Sequence, residues 1–135
     1  MTASLDPGPT RRLLVVDDEP IIANLIEAIT RRMDPDVVIR VLHGGQEAQA
    51  LAADFQPHLI LLDVKMPDVD GFEVRRRLLG DGRTQRIPVV VMTGYDTPEI
   101  LGRIAGAGVS GTLRKPLEVM EVREVIKRFI FREGP

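Results

Sequence analysis

Four short stretches of this chain carry side chains that can do chemistry: Asp17-Asp18-Glu19, Asp63, Thr93-Gly94 and Lys115-Pro116. The first three follow the apolar runs "LLVV", "LILL" and "VVVM", and the fourth follows "GTLR". Clustered carboxylates repel one another, and burial raises the cost of ionising them all. A divalent cation relieves that repulsion. The set offers oxygen ligands with no His or Cys, which suits a hard ion, and Mg²⁺ commonly takes one or two carboxylates and keeps several waters. A carboxylate beside Mg²⁺ can attack a phosphoryl group and hold it as an acyl phosphate. The oxygens of the group in transfer then need neutralising donors, and Mg²⁺, Lys115 and Thr93 are such donors. Gly94 leaves room for a backbone N–H to approach an oxygen. In this reading Asp63 accepts a phosphoryl group. Taken singly, Asp17 or Asp18 reads as a helix N-cap before Pro20, Asp63 as a turn residue, Thr93 as a cap and Lys115 as surface. Their joint occurrence at four strand ends is what favours chemistry.

The elements that must position these residues alternate in kind. Short β-branched or leucine-rich runs occupy 13–16, 37–42, 59–62, 89–92 and, more weakly, 111–114. Between them lie helical spacings: Ile22, Leu25, Ile26, Ile29 and Met33, with Pro20 suited to a first turn; then Ala48, Leu51, Ala52 and Phe55; Val74 and Leu78; Ile100, Leu101 and Ile104; and Val122, Val125, Ile126, Phe129 and Ile130. Strand and helix alternate five times, which predicts an α/β fold with a parallel sheet covered on both faces. Four of the strands are nearly all apolar, as burial on both faces requires. Ligands of such sheets bind beyond the carboxyl ends of the strands. His43-Gly44-Gly45 after the second strand reads as a plain turn, His43 and His58 as loop residues, and Arg75-Arg76-Arg77 as the solvated face of the third helix. Residues 1–11 read as a flexible arm, 12–131 as one domain and 132–135 as a tail. The chain of 135 residues has a formal charge of −2, which gives no electrostatic case for nucleic acid or a membrane surface. It has no cysteine, its apolar runs are too short to span a bilayer, and its start lacks a signal-peptide layout, so a cytoplasmic domain is expected.

The stretches "LLVVDDEP" (13–20), "LILLDVKMPDVDGFEV" (59–74), "IPVVVMTGY" (87–95) and "AGAGVSGTLRKPL" (105–117) together resemble the response-regulator receiver domains of two-component signalling. The resemblance covers about residues 12–131 and implies a doubly wound (βα)5 fold with the flavodoxin-like strand order 2-1-3-4-5. It implies that Asp63 is the phospho-acceptor, and that Asp18, Asp63 and the carbonyl of Lys65 bind Mg²⁺, with Asp17 reaching the ion through water. By the same resemblance Thr93 follows the phosphoryl group, Lys115 pairs with it, and Val64 and Gly94 help bind it. Lys65 and Tyr95 match positions that tune phosphoryl lifetime, and the Lys115–Pro116 bond is expected cis. The implied partner is a histidine kinase or phosphotransfer protein, and the output surface is helix four, strand five and helix five, through which a second copy or a downstream protein would dock. Phe131 is a candidate contact there. One residue departs from the pattern: Thr112 stands where receivers commonly carry an aromatic, so the switch is expected to run through Thr93, Tyr95 and helix four.

Two other classes share parts of this pattern. A haloacid-dehalogenase-type phosphatase also uses Asp, Mg²⁺ and Lys, but its nucleophile sits on the first strand as Asp-x-Asp, whereas here Asp17 and Asp18 are adjacent. A flavodoxin-like cofactor binder needs a hydroxyl- and glycine-rich phosphate loop after the first strand, where "VVDDEP" would repel phosphate.

Overall fold

The computed structural model describes residues 10–94 and 96–131. Most of the expected arm, the tail and Tyr95 therefore lie outside the described residues. Five strands, β1 (Arg12–Val16), β2 (Val38–Leu42), β3 (Leu59–Asp63), β4 (Val89–Thr93) and β5 (Gly111–Arg114), alternate with five helices. The helices are α1 (Pro20–Met33), α2 (Ala48–Phe55), α3 (Gly71–Leu79), α4 (Pro98–Gly106) and α5 (Val119–Phe129). The strands form one sheet in the order β2-β1-β3-β4-β5, with every adjacent pair parallel. This is the doubly wound α/β fold.

Alternation along each central strand builds two cores. Leu13, Val15, Leu59, Leu61, Val90 and Met92 share one face with Ile26 of α1 and Val122 and Ile126 of α5. Leu14, Val16, Ile60, Leu62, Val89 and Val91 share the other with Ala52, Val74, Leu78 and Ile104. Burying each large aliphatic side chain contributes roughly 1.5–3 kcal/mol, so the three central strands anchor the sheet. β2 departs from the expectation of full burial. It is an edge strand, and its residues are exposed or half-buried.

Several boundaries also move. Asp63 and Thr93 are the last residues of their strands, in ladder register with Met92 and Arg114, rather than the first residues beyond them. Arg11 is not loose: its carbonyl accepts from Val38 N–H, and its guanidinium lies 4.8 Å from the ring of Phe131. Phe131 itself packs, partly buried, against the α1/α5 core rather than lying off it. Leu101, expected on the buried stripe of its helix, is 48% exposed. Among the described residues no helix is long and apolar enough to cross a membrane.

Candidate functional site

Because all five strands run the same way, their carboxyl ends meet at one edge. Asp17 leaves β1 fully buried, and its Oδ1 accepts the Glu19 N–H at 2.8 Å, which turns the chain into α1. Its backbone N–H donates to the Leu42 carbonyl, so the position is set by the β2 ladder as well. Asp63 ends β3 at 4% exposed. The next residue, Val64, donates its N–H to Met92 O at 3.1 Å and accepts from Gly71 N–H at 2.7 Å. Gly71 has to be glycine. A Cβ there would stand 2.3 Å from the Asp63 carbonyl oxygen, so the start of α3 lies directly on the backbone of Asp63. Asp70 caps α3 by accepting from Glu73 N–H.

Lys115 enters from the opposite side. Its N–H donates to the Thr93 carbonyl at 2.8 Å, which ties the ends of β4 and β5. The Lys115–Pro116 bond is cis, as the resemblance implied. Its Nζ lies 2.9 Å from Asp17 Oδ2, 2.8 Å from Glu19 Oε1 and 3.2 Å from Asp63 Oδ1. Burial alone would lower the Lys115 ammonium, but hydrogen bonding to Glu19 and Asp17 and the charge of Asp63 outweigh it and raise its pKa. Burial, and then the charge of Asp17, push Asp63 up to about 6 while Lys115 pulls it the other way.

Carboxylate oxygens of Asp17, Asp18 and Asp63 lie within 4.8 Å of one another. Asp17 Oδ2 is buried and faces the Lys115 ammonium at 2.9 Å. Three converging carboxylates and an all-oxygen donor set fit a hard divalent cation. Thr93, 3% exposed, ends β4 at the same edge, and Val64 and Lys65 continue from Asp63. Gly94 follows Thr93, but a Cβ there would make only an ordinary 3.8 Å contact with Lys115, so this backbone does not demand glycine. Thr112 is exposed on β5, in register with Val91.

Sequence reasoning missed three residues around this edge and one away from it. Glu19, to which its position after Asp17-Asp18 assigns no role, is the nearest carboxylate to Lys115. His43 does reach the edge, since its Nδ1 lies 3.2 Å from the Asp17 carbonyl. Asp68 accepts from Gly45 N–H and Gln46 N–H. Arg75 is not part of a solvated face. It is 8% exposed, and its Nε and Nη2 donate to the carbonyls of Ala107 and Gly108 at 3.0 and 2.7 Å, clamping the end of α4 onto α3. Only the turn residues "GG" and "PD" hinted at His43 and Asp68. Nothing local could mark Arg75, whose partners lie more than thirty residues away.

The family model described as the response regulator receiver domain matches residues 13–127. The DNA-binding dual master transcriptional regulator RpaA of Synechocystis is 37% identical over 123 residues, covering 90% of this chain and 49% of the regulator. The chain thus spans about half the length of that relative. The polar-differentiation response regulator DivK of Brucella ovis is 28% identical over 121 residues, covering 90% of this chain and 97% of DivK. Among solved structures, the receiver domain of a sensor histidine kinase from Pseudomonas aeruginosa, with magnesium coordinated in its active-site cleft, superposes with a TM-score of 0.81. It is 23% identical and covers 92% of this chain and all of that one, which shows the fold.

Proposed function

The chain belongs to the response regulator receiver domain family, and from that premise we propose that it is a switch whose Asp63 takes a phosphoryl group from a histidine kinase or phosphotransfer protein. The observation that carries this reading is the meeting of Asp17, Asp18, Asp63 and Lys115 at one sheet edge. With a pKa near 6, Asp63 is mostly ionised at neutral pH and is available as a nucleophile. One of its oxygens attacks phosphorus and forms the O–P bond. The donor's P–N bond, or the P–O bond of a small acyl phosphate, breaks, and its electron pair leaves with the imidazole or carboxylate.

The remaining residues serve the charge that this step moves. The Lys115 ammonium, already held 3.2 Å from Asp63 Oδ1, balances the new negative charge. Thr93 offers its hydroxyl and Gly94 its backbone N–H to the phosphoryl oxygens; the Val64 N–H, expected to do the same, is instead given to the Met92 carbonyl. Asp18, Asp63, the Lys65 carbonyl and Asp17 would hold Mg²⁺, which would supply further positive charge beside the same oxygens. The chain thereby catalyses only its own phosphorylation and dephosphorylation, as residues 12–131 form the receiver unit.

The output face is α4, β5 and α5, on which a second copy or a downstream protein docks. Ile104 is the buried residue of α4, which leaves most of that helix at the surface. Incubation with acetyl phosphate should add one base-labile phosphoryl group in the presence of Mg²⁺ and none when the ion is chelated. Continuous release of phosphate from a generic ester, with no uptake, would instead support the phosphatase reading.

A further inference from the structure

We propose that the turn after β2, residues 43–46, is a clasp that positions the phosphoryl site by holding the segment that bears Asp17 against the connection that bears the Lys65 carbonyl. This rests on the metal and phosphoryl reading above. On one side of the clasp stands Asp17. The carbonyl oxygen of Asp17 can only accept, so His43 carries its proton on Nδ1 and donates it across 3.2 Å. On the other side stands the connection from β3 to α3, residues 64–70, which bears Val64 and Lys65. There the Asp68 carboxylate accepts from Gly45 N–H at 3.1 Å through Oδ1 and from Gln46 N–H at 3.0 Å through Oδ2. Bonds from N–H groups to an ionised carboxylate are about twice as strong as neutral ones.

The turn is shaped for this contact. A Cβ at Gly44 would stand 2.7 Å from Asp68 Oδ2, so any larger residue there would push the carboxylate away. The N–H of Val69, and with it those of Gly45 and Gln46, hold the Asp68 carboxyl below its ordinary range, which keeps it ionised at neutral pH. Val64 is tied through Met92 and Gly71, Met66 is buried in the α2/α3 core, and Val69 packs partly buried against the same core. Asp68 adds to these the polar tie from the connection to the β2 turn. Releasing it would loosen the connection that carries the Lys65 carbonyl on the side facing Asp17. Partners that orient metal ligands without touching the ion commonly change affinity by about 10–100-fold. Asp68 and His43 are in this sense positioning residues, not catalytic ones.

The test is Mg²⁺ binding measured by calorimetry, with thermal unfolding to confirm that each variant folds. Asp68→Ala and Gly44→Ala attack one contact from its two sides, and each should weaken Mg²⁺ binding by about tenfold. Asp68→Asn keeps one of the two acceptor oxygens and loses the charge, so it should recover only part of that loss. Gly44→Ala acts by displacing the Asp68 carboxylate, so in the Asp68→Ala background it should weaken binding no further. Phosphorylation by acetyl phosphate should slow in both variants at limiting Mg²⁺ and return towards the wild-type rate at saturating Mg²⁺. Asp18→Asn is the control for the site itself. If Asp18→Asn loses Mg²⁺ while Asp68→Ala binds it like wild type, the clasp is overturned and the site reading stands. If Asp18→Asn binds Mg²⁺ unchanged, the site reading fails and the clasp fails with it.

Discussion

At the scale of single residues, the account turns on a carboxylate kept where it is costly to ionise. Asp63 has a pKa of about 6 in the fold against 3.8 as an ordinary side chain, because burial and Asp17 oppose its charge. A raised acid contributes stability below its unfolded value and loses that contribution as pH climbs through its folded value. Without a metal ion, the stability owed to Asp63 should be full below about pH 4 and lost by about pH 7. The raised Lys115 titrates far above this window and leaves the sign unchanged. Asp63→Asn removes the penalty, so at pH 7 it should be about 1–3 kcal/mol more stable than wild type, and at pH 4 nearly equal to it. Added Mg²⁺ should narrow the difference at pH 7. Urea unfolding of both proteins at the two pH values checks this, and an Asp63→Asn less stable at pH 7 would contradict it. Asp63, Thr93 and Lys115 were legible in the sequence because each ends or follows a strand-forming run. Arg75 was not, because its burial is decided by the carbonyls of Ala107 and Gly108 rather than by its neighbours.

At the scale of elements, α4 is the weak one. It contains Gly102 and Gly106, and a Cβ at either would meet no heavy atom within 4 Å. Neither glycine is needed for close approach, and each lowers helix propensity by roughly 0.8–1 kcal/mol relative to Ala. The helix is held by directed contacts more than by buried surface. Arg75 grips its last carbonyls, Arg103 lies 4.0 Å from the Phe72 ring of α3, and Arg114 of β5 bonds Asp96 before the Thr97 cap. Gly102→Ala and Gly106→Ala should therefore slow amide exchange in α4 with little change elsewhere. They should also blunt the shift of amide signals at 96–107 on adding beryllofluoride and Mg²⁺. Thr112→Ala should leave that shift intact, since the Thr112 side chain is exposed. A full response in the double alanine variant would mean that the weakness of α4 plays no part in switching. The apolar spacing that placed α4 in the sequence did not foretell Leu101 at the surface, because Ile100 and Leu101 are adjacent and point about 100° apart around the helix, so spacing alone does not say which one faces the core.

At the scale of the whole molecule, the parallel sheet does two jobs with one geometry. Its central strands bury leucine and valine on both faces, and their common direction delivers the acids of β1 and β3, the threonine of β4 and the lysine after β5 to one edge. That much was legible, since continuous apolar runs each ending on a polar residue describe such an edge. The strand order and the exposed edge at β2 are tertiary facts that periodicity does not encode. The resemblance implied the order, and the fold shows both. The central claim is that this edge exists to phosphorylate Asp63, and site mapping tests it most directly. The protein is phosphorylated with acetyl phosphate and Mg²⁺, reduced with borohydride to convert an aspartyl phosphate to homoserine, then digested and mapped by mass. The account expects homoserine at position 63 alone, and none in Asp63→Asn. Homoserine at position 17 or 18, or a phosphate stable to base on Thr93, would contradict it.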